Sequence, residues 1–311
     1  MDIEQAVRQI TFPAEPKGLY EPIIYALASG GKRLRPMLAV EASRLFGGRD
    51  EEVLPAALAL EVFHNFTLLH DDVMDHAAMR RGRPTVHARW GTNTAILSGD
   101  EMLIQAYTLL AQLPEERVAG ALRMFNEMAT LVCEGQQTDA DFEQREATLD
   151  EYMGMIYRKT AVLIAYALKI GAYTAGADEA AQDALFDYGT NLGIAFQIQD
   201  DWLDVYGDEK TFGKAIGGDI TEGKKTYMYL TALLRADEDD RRTLLRTDWP
   251  DQAAKIAAVT DLYTRLGVKE TGLEAIGRYT QAAVQALERL PQNEHTDRLA
   301  DLAHRMNRRK Y

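Results

Sequence analysis

Apolar side chains return every three or four positions through nearly all of the 311 residues, and no convincing strand of alternating apolar and polar residues interrupts them. A repeat of that length aligns apolar groups along one stripe of an α-helix, whereas a sheet face needs period two. The pattern therefore confines the chain to an all-α fold. It predicts helices over 17–29, 34–46, 51–77, 93–111, 115–140, 149–174, 179–206, 221–236, 252–266, 269–290 and 295–308. Turn-type residues separate them at Gly47-Gly48, Gly82 to Pro84, Gly176, Gly207 to Gly218 and Asp248 to Pro250. None of these breaks has the length or composition of a linker, and no fixed-period repeat is present. Residues 1–311 accordingly read as a single large helical domain.

Composition narrows what such a domain does. With 46% hydrophobic residues the chain can bury a sizeable core. A net charge of −13 argues against a nucleic-acid or anionic-membrane surface, while leaving local basic clusters free to bind a small anion. The lone Cys133 excludes an intramolecular disulfide. The opening MDIEQAVRQITFPAEP has no basic segment followed by an apolar one, and no uninterrupted apolar run reaches membrane-spanning length. The expectation is a soluble, cytoplasmic protein without a membrane span.

Against that background, FTLLHDDVMD at 66–75 ends an apolar run with Asp71, Asp72 and Asp75. His64, Thr67, Asp71 and Asp75 follow the spacing that aligns side chains on one helix face, with Asp72 beside them. Three carboxylates so close repel one another, and near an apolar surface they also lose hydration, so they persist only if solvated or neutralised. One such motif is compatible with a solvated helix end. FQIQDDWLDVYGD at 196–208 repeats it, however, with Asp200, Asp201 and Asp204 after another apolar helix and Gln197 on the same stripe. Two triads facing each other across a bundle interior require cations. Magnesium suits them, because it takes one or two carboxylates, keeps several waters and completes its shell with phosphate oxygens. A calcium cage would need more protein oxygens, and six scattered histidines with one cysteine offer no zinc site.

A phosphorylated ligand needs cationic partners as well. SGGKRLRP supplies Lys32, Arg33 and Arg35 after a glycine pair, and MRRGRPTVH supplies Arg80, Arg81 and Arg83. YRKTA brings Lys159 with Thr160, and FGKAIGGDITEGKKT brings Lys214, Lys224 and Lys225. Arginine suits bidentate phosphate contact and lysine acts as a movable point charge. Each cluster alone is compatible with a solvated surface, and GGK is not a P-loop because no GxxxxGK[ST] follows a strand. The combination points to a diphosphate.

Taken in order over residues 25–230, GGKRLRP, LLHDDVMD with MRRGRPT, KT, FQIQDDWLD and GKAIGGDITEGKKT resemble the motifs of the trans-isoprenyl diphosphate synthases, the polyprenyl synthetase family, in its short-chain farnesyl or geranylgeranyl form. The resemblance implies an all-α bundle of the isoprenoid synthase type with a central cavity, assembled as a homodimer. It implies that the six aspartates hold three magnesium ions on the diphosphate of an allylic substrate. It implies further that Lys32, Arg35, His64 and Arg81 bind the diphosphate of isopentenyl diphosphate, and that Arg80, Lys159, Gln197, Lys214 and Lys224 bind the allylic one. Lys225 is an alternative to Lys224. Phe196 and Thr160 match positions that line the carbocation, although a core aromatic is an equal reading of Phe196.

Product length falls to Phe66 and Thr67, which match positions one turn deeper along the family's product channel. An aromatic at the first of these points to fifteen or twenty carbons. With only one of the two positions bulky, twenty is favoured, and the alternative is that Phe66 packs on neighbouring side chains and touches no product. Longer-chain synthases usually carry a small residue there. A terpene cyclase would replace the second triad and lack GGKRLRP, and a silent subunit of a heteromeric synthase would tend to lose aspartates that are all present here.

Overall fold

The computed structural model describes residues 1–208 and 216–307, the side chain of Asn307 excepted. Among these residues the only strand pairing is a two-residue ladder, Met79–Arg80 with Arg83–Pro84, and the rest of the regular structure is helical. The all-α expectation holds. The chain divides into two compact units, 1–126 with 166–183 and 127–165 with 184–311.

The first unit contains α1 (Ile3–Arg8), α2 (Lys17–Leu27), α3 (Leu34–Leu45), α4 (Asp50–Met74), the ladder, α5 (Val86–Trp90) and α6 (Thr92–Leu110). The first part of α7 (Glu115–Gln144), the later part of α9 (Val162–Thr174) and the start of α10 (Glu179–Tyr206) complete it. Its centre is α4, packed on α3 and α6. By length and composition α4 is apolar enough to cross a membrane, although Glu61, His64 and Asn65 interrupt its apolar run. Its apolar residues are instead taken up by the core: Val53, Ala56, Leu60, Val62 and Phe63 are almost fully inaccessible.

The second unit holds the rest of α7, α8 (Leu149–Ile156), a π turn at Tyr157–Ala161, the start of α9 and most of α10. Beyond them come α11 (Gly218–Glu222), α12 (Tyr227–Arg235), α13 (Glu238–Leu244), α14 (Gln252–Arg265), α15 (Val268–Ala286) and α16 (Glu294–Asn307). Tyr152, Ile156, Ile198, Met228, Val268 and Ile276 belong to its core, and the buried Tyr188 hydroxyl donates to the Leu299 carbonyl at 2.7 Å. A reciprocal capping box between Thr148 and Glu151 starts α8.

The structure differs from the sequence reading in two informative places. The helix expected over 149–174 contains the π turn, and that turn carries Lys159 and Thr160. Two glycines let neighbouring helices approach it: a Cβ on Gly135 would lie 2.4 Å from the Lys159 nitrogen, and one on Gly193 would lie 2.5 Å from the α-carbon of Ala161. The helix expected over 221–236 is two helices, because Gly223 adopts φ 72° and Thr226 caps α12 through its side chain. Lys224 and Lys225 sit in the turn between them.

Candidate active site

In the first unit the apolar part of α4 runs directly into the first triad. Asp72 is buried and accepts a hydrogen bond from Arg80 Nε at 2.6 Å. Burial raises its pKa nevertheless, outweighing the guanidinium. Asp71 is half-buried, and the exposed Asp75 closes the helix through a backbone bond to the Asp71 carbonyl. A cleft in this unit is lined by Tyr25, Ser29, Asn65, Asp72, Arg80 and Arg81.

The basic residues around it differ in their counter-charge, and Arg80 and Arg33 are paired with carboxylates. Burial and then the charge of Arg81 lower the Arg35 pKa to about 10, with Glu61 opposing. The Arg35 Nε is buried without a hydrogen-bond partner. His64 is driven well below its ordinary range by burial, then by Arg35, Arg81, Arg80 and Arg33. Burial also lowers Arg81, whose guanidinium donates to the Gly30 carbonyl. Arg33 is buried in hydrogen bonds to Glu4, Glu61 and the Leu27 carbonyl, so this member of the basic motif faces carboxylates. Lys32 is exposed. Among the described residues the non-glycine positions in the left-handed region are Arg33, His76 and Arg81, all beside this cluster in sequence. Such backbones persist only where the surroundings over-determine them, and they gather at binding sites.

Phe66 is half-buried and stacks edge-on against His70, with ring centroids 4.8 Å apart, and packs with a tilted ring against Phe63 at 5.5 Å. Phe63 continues the aromatic series to Phe125 and Tyr107. Thr67 is also half-buried, and its hydroxyl donates to the His64 carbonyl at 2.8 Å.

In the second unit Asp201 is the centre. Tyr152 donates its phenolic hydrogen to Asp201 Oδ2, the Tyr227 N–H donates to the same oxygen at 2.9 Å, and Gln197 Nε2 reaches Oδ1 at 3.1 Å. Burial, then the charge of Asp219, pushes the Asp201 pKa to about 7 in spite of those donors. Asp219 is raised to about 6 by burial and by Asp204, and its N–H donates to Asp204 Oδ2 at 3.0 Å. Asp204 is buried and Asp200 half-buried.

Thr160 donates to Gln197 Oε1 at 3.1 Å, so the π turn is linked through Gln197 to Asp201. Lys159 pairs with Asp139 at 2.6 Å. Phe196 lies half-buried on α10. Lys225 donates to the Phe142 carbonyl, while Lys224 pairs with Glu222 at 2.8 Å and lies 3.8 Å from Asp219. Lys224 is thus the one of the two paired with carboxylates, the exposed Glu222 and the half-buried Asp219. Lys214 lies outside the described residues.

Sequence reasoning misses several participants. Tyr152 lies seven residues before Lys159, and nothing local marks its phenol as a donor to a residue 49 positions away. Asp219 stands inside GKAIGGDITEGKKT, and its place after a glycine pair beside two lysines is a usable signal. Asp139, Glu61 and Glu4 have none.

The residues fit a hard divalent cation. Among the described residues no three acidic or imidazole groups converge as a ready cage. Carboxylates raised first by burial and then by neighbouring carboxylates nonetheless offer the oxygen donors that magnesium prefers, and an ion completed by substrate phosphate needs no preformed cage. The buried, unpartnered Arg35 Nε fits an anion in the same way.

Comparison with known proteins agrees. The polyprenyl synthetase family model matches residues 16–266. The chain is 38% identical over 302 residues to a short chain isoprenyl diphosphate synthase of Methanothermobacter thermautotrophicus, covering 96% of this chain and 93% of the other. It is 44% identical over 242 residues to a geranylgeranyl diphosphate synthase of Sulfolobus acidocaldarius, covering 76% and 73%. It superimposes on the crystal structure of geranylgeranyl pyrophosphate synthetase from Pyrococcus horikoshii Ot3 with a TM-score of 0.94 at 35% identity, over 99% of this chain and 95% of that one. With the fold, the motifs and their flanking cations all in agreement, this chain belongs to the polyprenyl synthetase family of isoprenyl diphosphate synthases.

Proposed function

We propose that the chain is a magnesium-dependent prenyltransferase that joins isopentenyl diphosphate head-to-tail to a dimethylallyl, geranyl or farnesyl diphosphate. The product is an all-trans prenyl diphosphate of twenty carbons, with fifteen as the other short-chain outcome. The carrying observation is Arg35, a half-buried cation whose Nε is buried without a hydrogen-bond partner, among the charges that depress the His64 pKa. A diphosphate relieves that arrangement.

Lys32, Arg35, His64 and Arg81 hold the diphosphate of isopentenyl diphosphate. Arg80, Lys159, Gln197, Lys214 and Lys224 hold the allylic one. Asp71, Asp72, Asp75, Asp200, Asp201 and Asp204 are the ligands of the magnesium ions, three per active site. When bound, the ions draw charge from the departing diphosphate. The side chains supply the remaining stabilisation as the allylic C–O bond breaks and its electron pair leaves with the diphosphate. The Phe196 ring and the Thr160 hydroxyl face the carbon that becomes positive. The double bond of isopentenyl diphosphate attacks that carbon, and loss of a proton to the released diphosphate restores an alkene.

The enzyme works as a cytoplasmic homodimer, with the whole chain as one synthase domain and without a nucleic-acid or membrane partner. Incubation with magnesium, labelled isopentenyl diphosphate and each allylic primer, followed by sizing of the dephosphorylated products, tests the reading. Elongation of a primer supports it. Cyclic hydrocarbon or no elongation with any primer rejects it.

A further inference from the structure

Arg33 stands between two residues assigned to a ligand, yet its own guanidinium faces inward. It is 5% exposed and holds φ at 46°. Its Nε donates to Glu4 at 2.8 Å, Nη1 to Glu61 at 2.6 Å and Nη2 to the Leu27 carbonyl at 2.6 Å. Glu61 is itself buried and accepts from Asn65 Nδ2 at 3.0 Å. A non-glycine residue keeps a left-handed backbone only where its surroundings fix it, and here the fixing group is the guanidinium. Three elements therefore meet on one side chain: the end of α2, the middle of α4, and α1.

The contribution of α1 is the least expected. It is six residues long, capped by Asp2 and seated by the buried Ile3 and Val7. Its Glu4 carboxylate accepts from Arg33 on one oxygen and from the exposed Arg8 on the other, at 3.2 Å. Glu4 supplies a second negative charge to a buried arginine for which Glu61 alone would leave Nε without an acceptor. Lys32 and Arg35 flank Arg33 closely, so any rotation of its backbone turns both. The Arg81 guanidinium packs against Gly31 of the same turn.

We propose that Glu4 of α1 is a positioning residue for isopentenyl diphosphate: through Arg33 it fixes the backbone that aims Lys32 and Arg35 at the diphosphate. The inference rests on the prenyltransferase reading above. It assigns the amino-terminal helix a role in the affinity for one of the two substrates.

Steady-state kinetics of Glu4→Gln test it. The KM for isopentenyl diphosphate rises about 3–10-fold, while kcat and the KM for the allylic primer stay within about twofold of wild type. Glu4→Asp restores most of the loss, and Arg8→Ala, which removes the other partner of Glu4, changes neither constant. A loss of fold alone would lower the active fraction, and hence apparent kcat, without this split. Protection of Glu4→Gln against thermal unfolding by isopentenyl diphosphate alone gives a second readout that needs no turnover, and it too weakens. Equal rises in both KM values, or an unchanged KM and unchanged protection, overturn the role of Glu4. Failure of the wild-type protein to elongate any primer in the same assay overturns the prenyltransferase reading instead.

Discussion

The phenol of Tyr152 donates its hydrogen to Oδ2 of Asp201 from a fully packed position in the second unit. The same oxygen accepts from the Tyr227 N–H, so the carboxylate is oriented by groups that no ligand supplies. Outer-shell partners of this kind set a metal ligand's direction and basicity. Tyr152→Phe is expected to weaken the apparent affinity for magnesium about 10-fold, with a smaller change in turnover once the metal saturates. A magnesium titration of activity measures this, and a superimposable curve would assign the phenol to core packing alone.

Stability without metal should depend on pH in a direction set by burial. Asp201 and Asp219 have pKa values of about 7 and about 6, above the ordinary 3.8. Raised acids disfavour the charged form in the fold, so their cost is fully present above the raised values and is relieved as pH falls through them. In chelator, the melting temperature should climb between about pH 8 and about pH 6.5. At lower pH His64 opposes the trend, because its folded pKa is depressed and the unfolded imidazole binds a proton that the folded one does not. Asp201→Asn should flatten the climb, and the stabilisation by magnesium should be larger at the upper end. A flat wild-type profile in chelator would contradict the assignment.

The two diphosphates should be separable by mutation. Arg35→Ala is expected to raise the KM for isopentenyl diphosphate more than that for the primer, and Lys159→Ala the reverse, each by about 10-fold or more for the loss of a charge-assisted contact. Paired KM determinations decide it, and equal effects from both variants would reassign these cations.

Phe66 is held between Phe63, whose ring is tilted to it, and His70, which it meets edge-on. If it is the floor of the product channel, Phe66→Ala opens space that an isoprenoid tail can fill, offsetting part of the roughly 3–5 kcal/mol that such a truncation costs in a closed core. Products should lengthen by at least one five-carbon unit. Thr67→Phe should shorten them, because it narrows the face that leads to Asp71 and Asp75. Chromatography of dephosphorylated products reads both, and an unchanged distribution in Phe66→Ala would leave the ring as packing only.

How much of this is legible in the sequence varies with the range of the interaction. Helical periodicity is local, so α4 and α10 and the aspartates at their ends are readable from spacing. The π turn is not, because it depends on Gly135 and Gly193 admitting neighbouring backbone, and the pattern of 149–174 is continuous across it. The split at Gly223 escapes because the apolar repeat masks a glycine that ends one helix and a threonine that caps the next. Residue type identifies Lys32, Arg33 and Arg35 as a basic cluster. Which of them faces inward depends on Glu4 and Glu61, 29 and 28 positions from Arg33, and a linear motif carries no such information.

The proposed function requires the aspartates of each triad to act as magnesium ligands in the ionisation. Turnover of Asp71→Asn and of Asp200→Asn, at saturating magnesium and both substrates, tests it most directly. Each variant should fold normally and lose about three orders of magnitude or more in kcat, because the lost charge bears on the transition state. Turnover near wild type in either variant would contradict the account.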